Sequence, residues 1–418
     1  MSHDFSPFEV SLGFIAPRFS PINAWYHLTT PPSMRIPSRC SVPLRIDKRE
    51  TTVYYSTVRF SSYPAIFMPP LDAFDRLRIA GNGFQEASVL FAAAELDIAS
   101  QILARSNSAT AADLAELLKL DHRALTVLLD ALAGLGYFVK SEDARYSVAE
   151  PFVELLDNRH PATFVPMLRH LGNCQRGLSQ LAWIVTNGTP AQKYDSILGP
   201  EADNVSFILA MNSIGRLSVG PMLEDLKKYG VLDFARKNIR FIDIGGASGT
   251  YTLAFLEAIP QAEGTIFDLP VAIREARRRF AGTPLESRVS FTEGDFYRND
   301  LPSGFDFAWV SAIIHQFGRA ESQALYKKAY WSLNPGGRIA IRDFVMEPNR
   351  ISPPQGTLFG INMLVQTRNG MVYTFDEIRV DLEAAGFVNV RLAVPTDTMS
   401  AVVVAEKSEP QSPSVPQS

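Results

Sequence analysis

The run Phe241-Ile-Asp-Ile-Gly-Gly-Ala-Ser-Gly249 constrains this chain more than any other segment. A short apolar strand enters a turn holding three glycines, Gly245, Gly246 and Gly249. Such a turn lets backbone N–H groups approach a ligand closely at the start of the next helix. A second apolar run ends in Asp268, 19 residues after Gly249. That is where the second strand of a βαβ unit ends, and a carboxylate there can accept hydrogen bonds from ribose hydroxyls. The turn lacks the G-x-G-x-x-G spacing of a dinucleotide site and carries an acid, Asp243, two residues before its first glycine. No G-x-x-x-x-G-K-[ST] loop occurs in the chain. The segment therefore predicts a site for a nucleoside cofactor without a pyrophosphate to wrap.

Beyond residue 239 the chain alternates strands and helices. Arg240–Ile244, Ala262–Phe267, Val289–Gly294, Phe305–Val310 and Arg338–Arg342 read as five strands, the last following an Asn-Pro-Gly-Gly turn. Thr374-Phe-Asp-Glu opens a capped helix that stops at Gly386, and the runs from Val388 and Ser400 suit a terminal hairpin with one antiparallel strand. The fold class expected is α/β: a Rossmann-like, doubly wound, mostly parallel seven-stranded sheet over residues 239–407. Ligands then bind at the carboxyl ends of the strands.

Upstream the periodicity is helical. Val89–Leu96 is an apolar helix, Thr110-Ala-Ala-Asp opens a second with a Thr cap, and 121–135 spaces its leucines for a third. Tyr137–Lys140 and Arg145–Val148 suit a short hairpin, so residues 75–165 read as an all-α, winged-helix-like unit apart from that hairpin. The third helix exposes His122, Arg123, Asp121 and Asp130, a nearly neutral face that does not suit DNA phosphates. The surplus apolar surface of Val89–Leu96 suits a second copy of the chain instead. Residues 166–238 read as further helices, including Phe207–Ile214 and Pro221–Leu226.

The net charge of −4 over 418 residues gives no sign of a nucleic-acid partner, and no apolar run reaches the ~20 residues of a membrane span. Two cysteines, Cys40 and Cys174, make neither a disulfide framework nor a clustered metal site, which fits a reducing, cytoplasmic setting. Residues 1–67 are rich in Ser, Thr, Pro and Arg and poor in acids, with no sustained periodicity. They read as a disordered or spurious extension, with Met68 opening the folded protein and a transit peptide as the other reading. Residues 408–418 read as a disordered tail.

Two later segments carry chemistry. Gly294-Asp295-Phe296 ends the third strand with an acceptor for an adenine amine beside a ring to stack on it. The fourth strand leads to Ile313-Ile-His315, one of only six histidines. Removing a hydroxyl proton with pKa about 10 or above calls for a base near neutrality, and histidine supplies one.

Taken in order, Asp-x-Gly-Gly-x-x-Gly, Phe-Asp-Leu-Pro, Gly-Asp-Phe, the strand-four His, Pro-Gly-Gly and Tyr-Thr-Phe-Asp-Glu-Ile resemble the dimeric, S-adenosylmethionine-dependent small-molecule O-methyltransferases of the caffeate and hydroxyindole type. The resemblance spans about residues 75–407. It implies S-adenosyl-L-methionine as cofactor, a small, aromatic hydroxyl acceptor and a homodimer. It implies a cofactor set of Asp243, Gly245, Gly246, Gly249, Asp268, Leu269, Asp295, Phe296 and Ser311, with His315 as general base. It also implies an acceptor pocket with Phe207, Met211, Asn362 and Met363 in its wall.

The chain departs from that pattern around the base. Gln316 and Phe317 follow His315 where an acid and a tryptophan are usual, Ser311 stands in place of a lysine, and Val372 in place of a second carboxylate. Asp343 is left to orient the base with a short arm. A weakly oriented base keeps a second reading open, a cofactor-binding enzyme that catalyses decarboxylation, hydroxylation or rearrangement with Arg342 as a cationic partner. A third is a winged-helix binding or regulatory protein.

Overall fold

The computed structural model describes residues 72–188, 190–233 and 238–409; the expectations for residues 1–67 and for nearly all of 408–418 lie outside them. The Asp72 carboxylate accepts the N–H of Asp75 at 2.7 Å and caps helix α1 (Ala73–Glu95). Apolar periodicity marks this helix only from Val89. Its first half leaves Phe74, Leu77, Ile79 and Phe84 exposed, so no core-facing stripe announces it.

Next come α2 (Ile98–Leu103), β1 (Ala109–Thr110), α3 (Ala111–Leu118), α4 (His122–Gly134), β2 (Phe138–Lys140) and β3 (Arg145–Val148). The Thr110 hydroxyl accepts the Asp113 N–H at 3.1 Å while the Asp113 carboxylate accepts the Thr110 N–H at 3.2 Å, closing a capping box. Strands β2 and β3 are the expected hairpin. Strand β1 joins them in the order β1-β3-β2, so a small antiparallel sheet sits with these helices in place of helices alone. Ile98, Ile102, Leu114, Leu129, Leu132 and Phe138 form their core.

Helices α5 (Val153–Leu156), α6 (Val165–Leu178), α7 (Leu181–Asn187) and α8 (Pro200–Lys228) follow. The two segments expected around Phe207 and Pro221 are one helix of 29 residues, with Pro221 inside it. Proline removes one donor and crowds the preceding turn. Leu217, whose carbonyl loses that donor, is exposed, so water can take the vacant position.

The remaining elements are β4 (Arg240–Ile244), α9 (Thr250–Ala258), β5 (Glu263–Asp268), α10 (Pro270–Phe280), β6 (Val289–Glu293), β7 (Phe305–Ser311), α11 (Arg319–Ser332), β8 (Leu333–Asp343), β9 (Val345–Met346), α12 (Pro354–Gln366), β10 (Tyr373–Thr374), α13 (Phe375–Ala384), β11 (Phe387–Val394) and β12 (Ala401–Lys407). Seven strands pair in the order β11-β12-β8-β7-β4-β5-β6, and β12 is the antiparallel one. The Asn334–Gly337 segment is not a turn before β8 but a bulge within it. Phe305 pairs with Leu333 and Phe307 with Arg338.

Alternate residues feed two cores. Phe241, Trp309 and Ala340 pack under α8, α9 and α10, whereas Ile242, Val310 and Ile341 pack under α11 and α13. Strand order reverses between β4 and β7, and the crevice outside their carboxyl ends is where such a sheet takes a ligand.

Candidate active site

The glycine-rich turn stands at that crevice. Gly245 and Gly249 have φ of 72° and 77°, and a Cβ on Gly245 would lie 2.3 Å from the Ile313 side chain. Gly246 has no room either, since its Cβ would approach the Asp243 carboxyl carbon to 2.8 Å. Asp243 is fully enclosed, accepts the Thr252 hydroxyl at 2.7 Å, and burial pushes its pKa up to about 7. Asp268 accepts the Ala247 N–H at 2.8 Å and the Leu269 N–H at 2.7 Å, which ties the turn to the end of β5. Burial raises its pKa, and those two donors pull the other way. Leu269 beside it presents an exposed apolar side chain.

Phe296 completes this group. Its ring edge lies 3.6 Å from the point a Gly245 Cβ would occupy, and it packs on Phe317 at 5.4 Å between centroids. Asp295 accepts the Tyr297 N–H at 2.9 Å, so part of its carboxylate holds the turn after β6. Ser311, at the end of β7, accepts a hydrogen bond from Arg342 at 3.1 Å.

Beyond Ser311 the chain turns sharply. Ala312 has φ of 58°, and its N–H donates to the Arg342 carbonyl at 2.8 Å. The 3-10 turn Ile314–Gln316 then aims His315 inward, leaving the residue 6% exposed. Asp343 ends β8 opposite it, and both carboxylate oxygens lie 2.9 Å from His315 Nδ1. The Phe344 N–H donates to Asp343 Oδ1 at 2.8 Å and fixes the carboxylate. The short arm of Asp343 thus reaches the histidine.

Phe359 on α12 meets the His315 ring edge-on at 4.7 Å, and Phe344 packs on Phe359. Asn362 and Met363 follow three and four residues later on the same helical face. Met363 is buried, and the Asn362 carbonyl oxygen is buried with no hydrogen-bond partner. Phe207 on α8 packs edge-on against His170 of α6 at 5.1 Å, and half-buried Met211 lies one turn on. No hydrogen bond or ring contact joins these two to His315 among the described residues. A polar groove of about 370 Å³ lies beside the turn, with Gln316, Gln366 and Thr367 in its wall.

Phe344 and Phe359 are not among the residues the sequence singles out, although the spacing of Phe359 to Asn362 places both on one helical face. Nor does the sequence single out Arg279 of α10, which donates to Asn212 of α8 at 2.6 Å and to Thr250 of α9 at 2.8 Å. No sequence signal marks that link between the turn and α8.

Residues 169–388 match the O-methyltransferase domain family and residues 80–151 the O-methyltransferase dimerisation domain family. The chain belongs to the O-methyltransferase family. Acetylserotonin O-methyltransferase of Bos taurus is 26% identical over 348 residues, covering 79% of this chain and 97% of the relative. The tetracenomycin polyketide synthesis 8-O-methyl transferase TcmO of Streptomyces glaucescens is 28% identical, covering 74% and 89%. The solved human N-acetylserotonin methyltransferase in complex with SAM is 22% identical with a TM-score of 0.67, covering 81% and 99%, and shows the same fold.

S-adenosylmethionine is the methyl donor of this enzyme. The turn suits it. Its backbone is bare at Gly245 and Gly246, where Ile313 and Asp243 leave no room for a side chain, with Asp268 tied to the turn through Ala247 and Phe296 beside Gly245. Among the described residues no group of three His, Cys, Asp or Glu could hold a metal ion, and no helix is long and apolar enough to cross a membrane.

Proposed function

We infer that the enzyme methylates a hydroxyl of a small aromatic molecule, with His315 as general base and Asp343 as its orienting carboxylate. The observation that carries this reading is the Asp343 carboxylate set 2.9 Å from Nδ1 of a buried histidine at the carboxyl end of β7. The Nδ1–H donates to Asp343, so the lone pair sits on Nε2, on the far side of the ring. Nε2 takes the acceptor's hydroxyl proton, and Asp343 stabilises the imidazolium that forms. S-adenosylmethionine, when bound, supplies an electrophilic methyl carbon.

Asp243, Gly245, Gly246, Gly249, Asp268, Leu269, Asp295, Phe296 and Ser311 form the cofactor half of the site. Asp268 keeps lone pairs for ribose hydroxyls, and Phe296 and Leu269 offer apolar surfaces to the adenine. Phe359, Asn362 and Met363 wall the acceptor half, with Phe207 and Met211 further out on α8. Aromatic side chains around His315 favour a flat acceptor. Acetylserotonin and a polyketide, the acceptors that the relatives' names imply, belong to that class.

Residues 75–165 pair two copies of the chain, supported by the dimerisation-family match and by exposed Leu77, Ile79 and Phe84 on α1. The enzyme works as a cytoplasmic homodimer.

Incubation with S-adenosylmethionine and a panel of indolic and polycyclic phenols tests the reaction. The reading requires S-adenosylhomocysteine in one-to-one amount with a methylated phenol. Conversion of a panel member with the cofactor left intact would favour the cofactor-assisted alternative.

A further inference from the structure

Arg342 sits one residue before Asp343, in register with Ser311 at the end of β7. Alternation along β8 turns it to the opposite face from Asp343, beneath α9. One guanidinium nitrogen donates to Ser311 at 3.1 Å, and the guanidinium carbon lies 5.4 Å from the centre of the Tyr251 ring. Arg342 is only 7% exposed, its Nε has no hydrogen-bond partner, and it forms no ion pair among the described residues. A buried cation with neutral partners alone is unfavourable, because desolvation of its charge is not offset.

The surroundings say which anion completes it. Tyr251 is the second residue of α9, directly after the turn, and the Tyr251 and Ser218 hydroxyls lie 3.2 Å apart, tying it to α8. Asp243 projects from β4 towards the same helix, where it meets Thr252. Arg342 thus belongs to the cofactor side of the sheet, whereas His315 and Asp343 serve the other face. The cofactor carries one anionic group, the carboxylate of its amino-acid portion.

We propose that Arg342 binds that carboxylate from the end of β8. The proposal rests on the assignment of the glycine-rich turn to S-adenosylmethionine. A planar guanidinium pairs with a carboxylate through two hydrogen bonds, and the unpartnered Nε is one of the donors available.

Calorimetric titration of the full chain with two nucleosides tests it. S-adenosylhomocysteine carries the carboxylate, whereas 5′-methylthioadenosine lacks the amino-acid portion. Arg342→Met weakens S-adenosylhomocysteine binding by about 30-fold or more and leaves 5′-methylthioadenosine binding unchanged. Arg342→Lys, which keeps the charge, recovers part of the loss. Should the methionine variant fail to fold, Arg342→Gln gives the same comparison. Equal weakening of both nucleosides, or of neither, overturns the proposal while leaving the cofactor assignment standing. A folded wild-type protein that binds neither nucleoside overturns both.

Discussion

Both carboxylate oxygens of Asp343 lie 2.9 Å from His315 Nδ1, and the pair is almost wholly buried. Asp343 is thus the carboxylate that meets the ring proposed as the base. Asp343→Asn tests that pairing. Oδ1 already accepts the Phe344 N–H, so the new amide nitrogen takes the Oδ2 position and donates to Nδ1. The imidazole is then forced to carry its proton on Nε2 and loses the lone pair facing the acceptor. Turnover should fall by about 10²-fold or more with S-adenosylhomocysteine affinity intact. An unchanged kcat would show that Asp343 only packs.

Gly245→Ala should remove cofactor binding. The new methyl group would sit 2.3 Å from the end of the Ile313 side chain in a backbone conformation that disfavours a Cβ. Strain of about 1–3 kcal/mol is expected, read as a lower Tm. Calorimetry with S-adenosylhomocysteine should show affinity down at least about tenfold. A folded variant with wild-type affinity would place the cofactor elsewhere.

Asp243 makes stability pH-dependent with an unusual sign. Its buried carboxyl has a pKa of about 7, well above that of the unfolded chain. Below about pH 4 both states are protonated and the group has no effect. As pH rises towards 7 the unfolded chain ionises first, so stability is lost through that window and the loss levels off above it. In the absence of cofactor, Asp243→Asn should flatten this part of the Tm–pH curve. A wild-type curve already lacking that fall would show Asp243 ionised in the native protein.

The Asn362 carbonyl oxygen is buried without a donor. An acceptor hydroxyl or amide N–H is the group that fits. With an acceptor found in the phenol panel, Asn362→Leu should raise its KM about tenfold and leave S-adenosylhomocysteine affinity unchanged. A change confined to Tm would make Asn362 part of the core.

The glycine-rich turn proposed to hold the cofactor was legible because backbone geometry dictates it. Gly245 and Gly249 need positive φ, and Asp268 must end a strand one βα unit later. The acceptor half was less legible. Phe359 reaches His315 from α12, some 44 positions along the chain, and no local pattern encodes that approach. The first half of α1 carries no readable stripe because its apolar residues pack against no core among the described residues. Pro221 suggested a break where α8 continues, since an exposed helix face tolerates the lost donor. The Asn334–Gly337 bulge looked like a turn because bulges and turns use the same residues.

The most direct test pairs two measurements on His315→Ala: kcat with an accepted phenol, and S-adenosylhomocysteine affinity on the same preparation. The account predicts kcat reduced by about 10²-fold or more and affinity within experimental error of wild type. Equal kcat in variant and wild type would contradict His315 as the base. Lost affinity in a folded variant would make it a cofactor-binding residue instead.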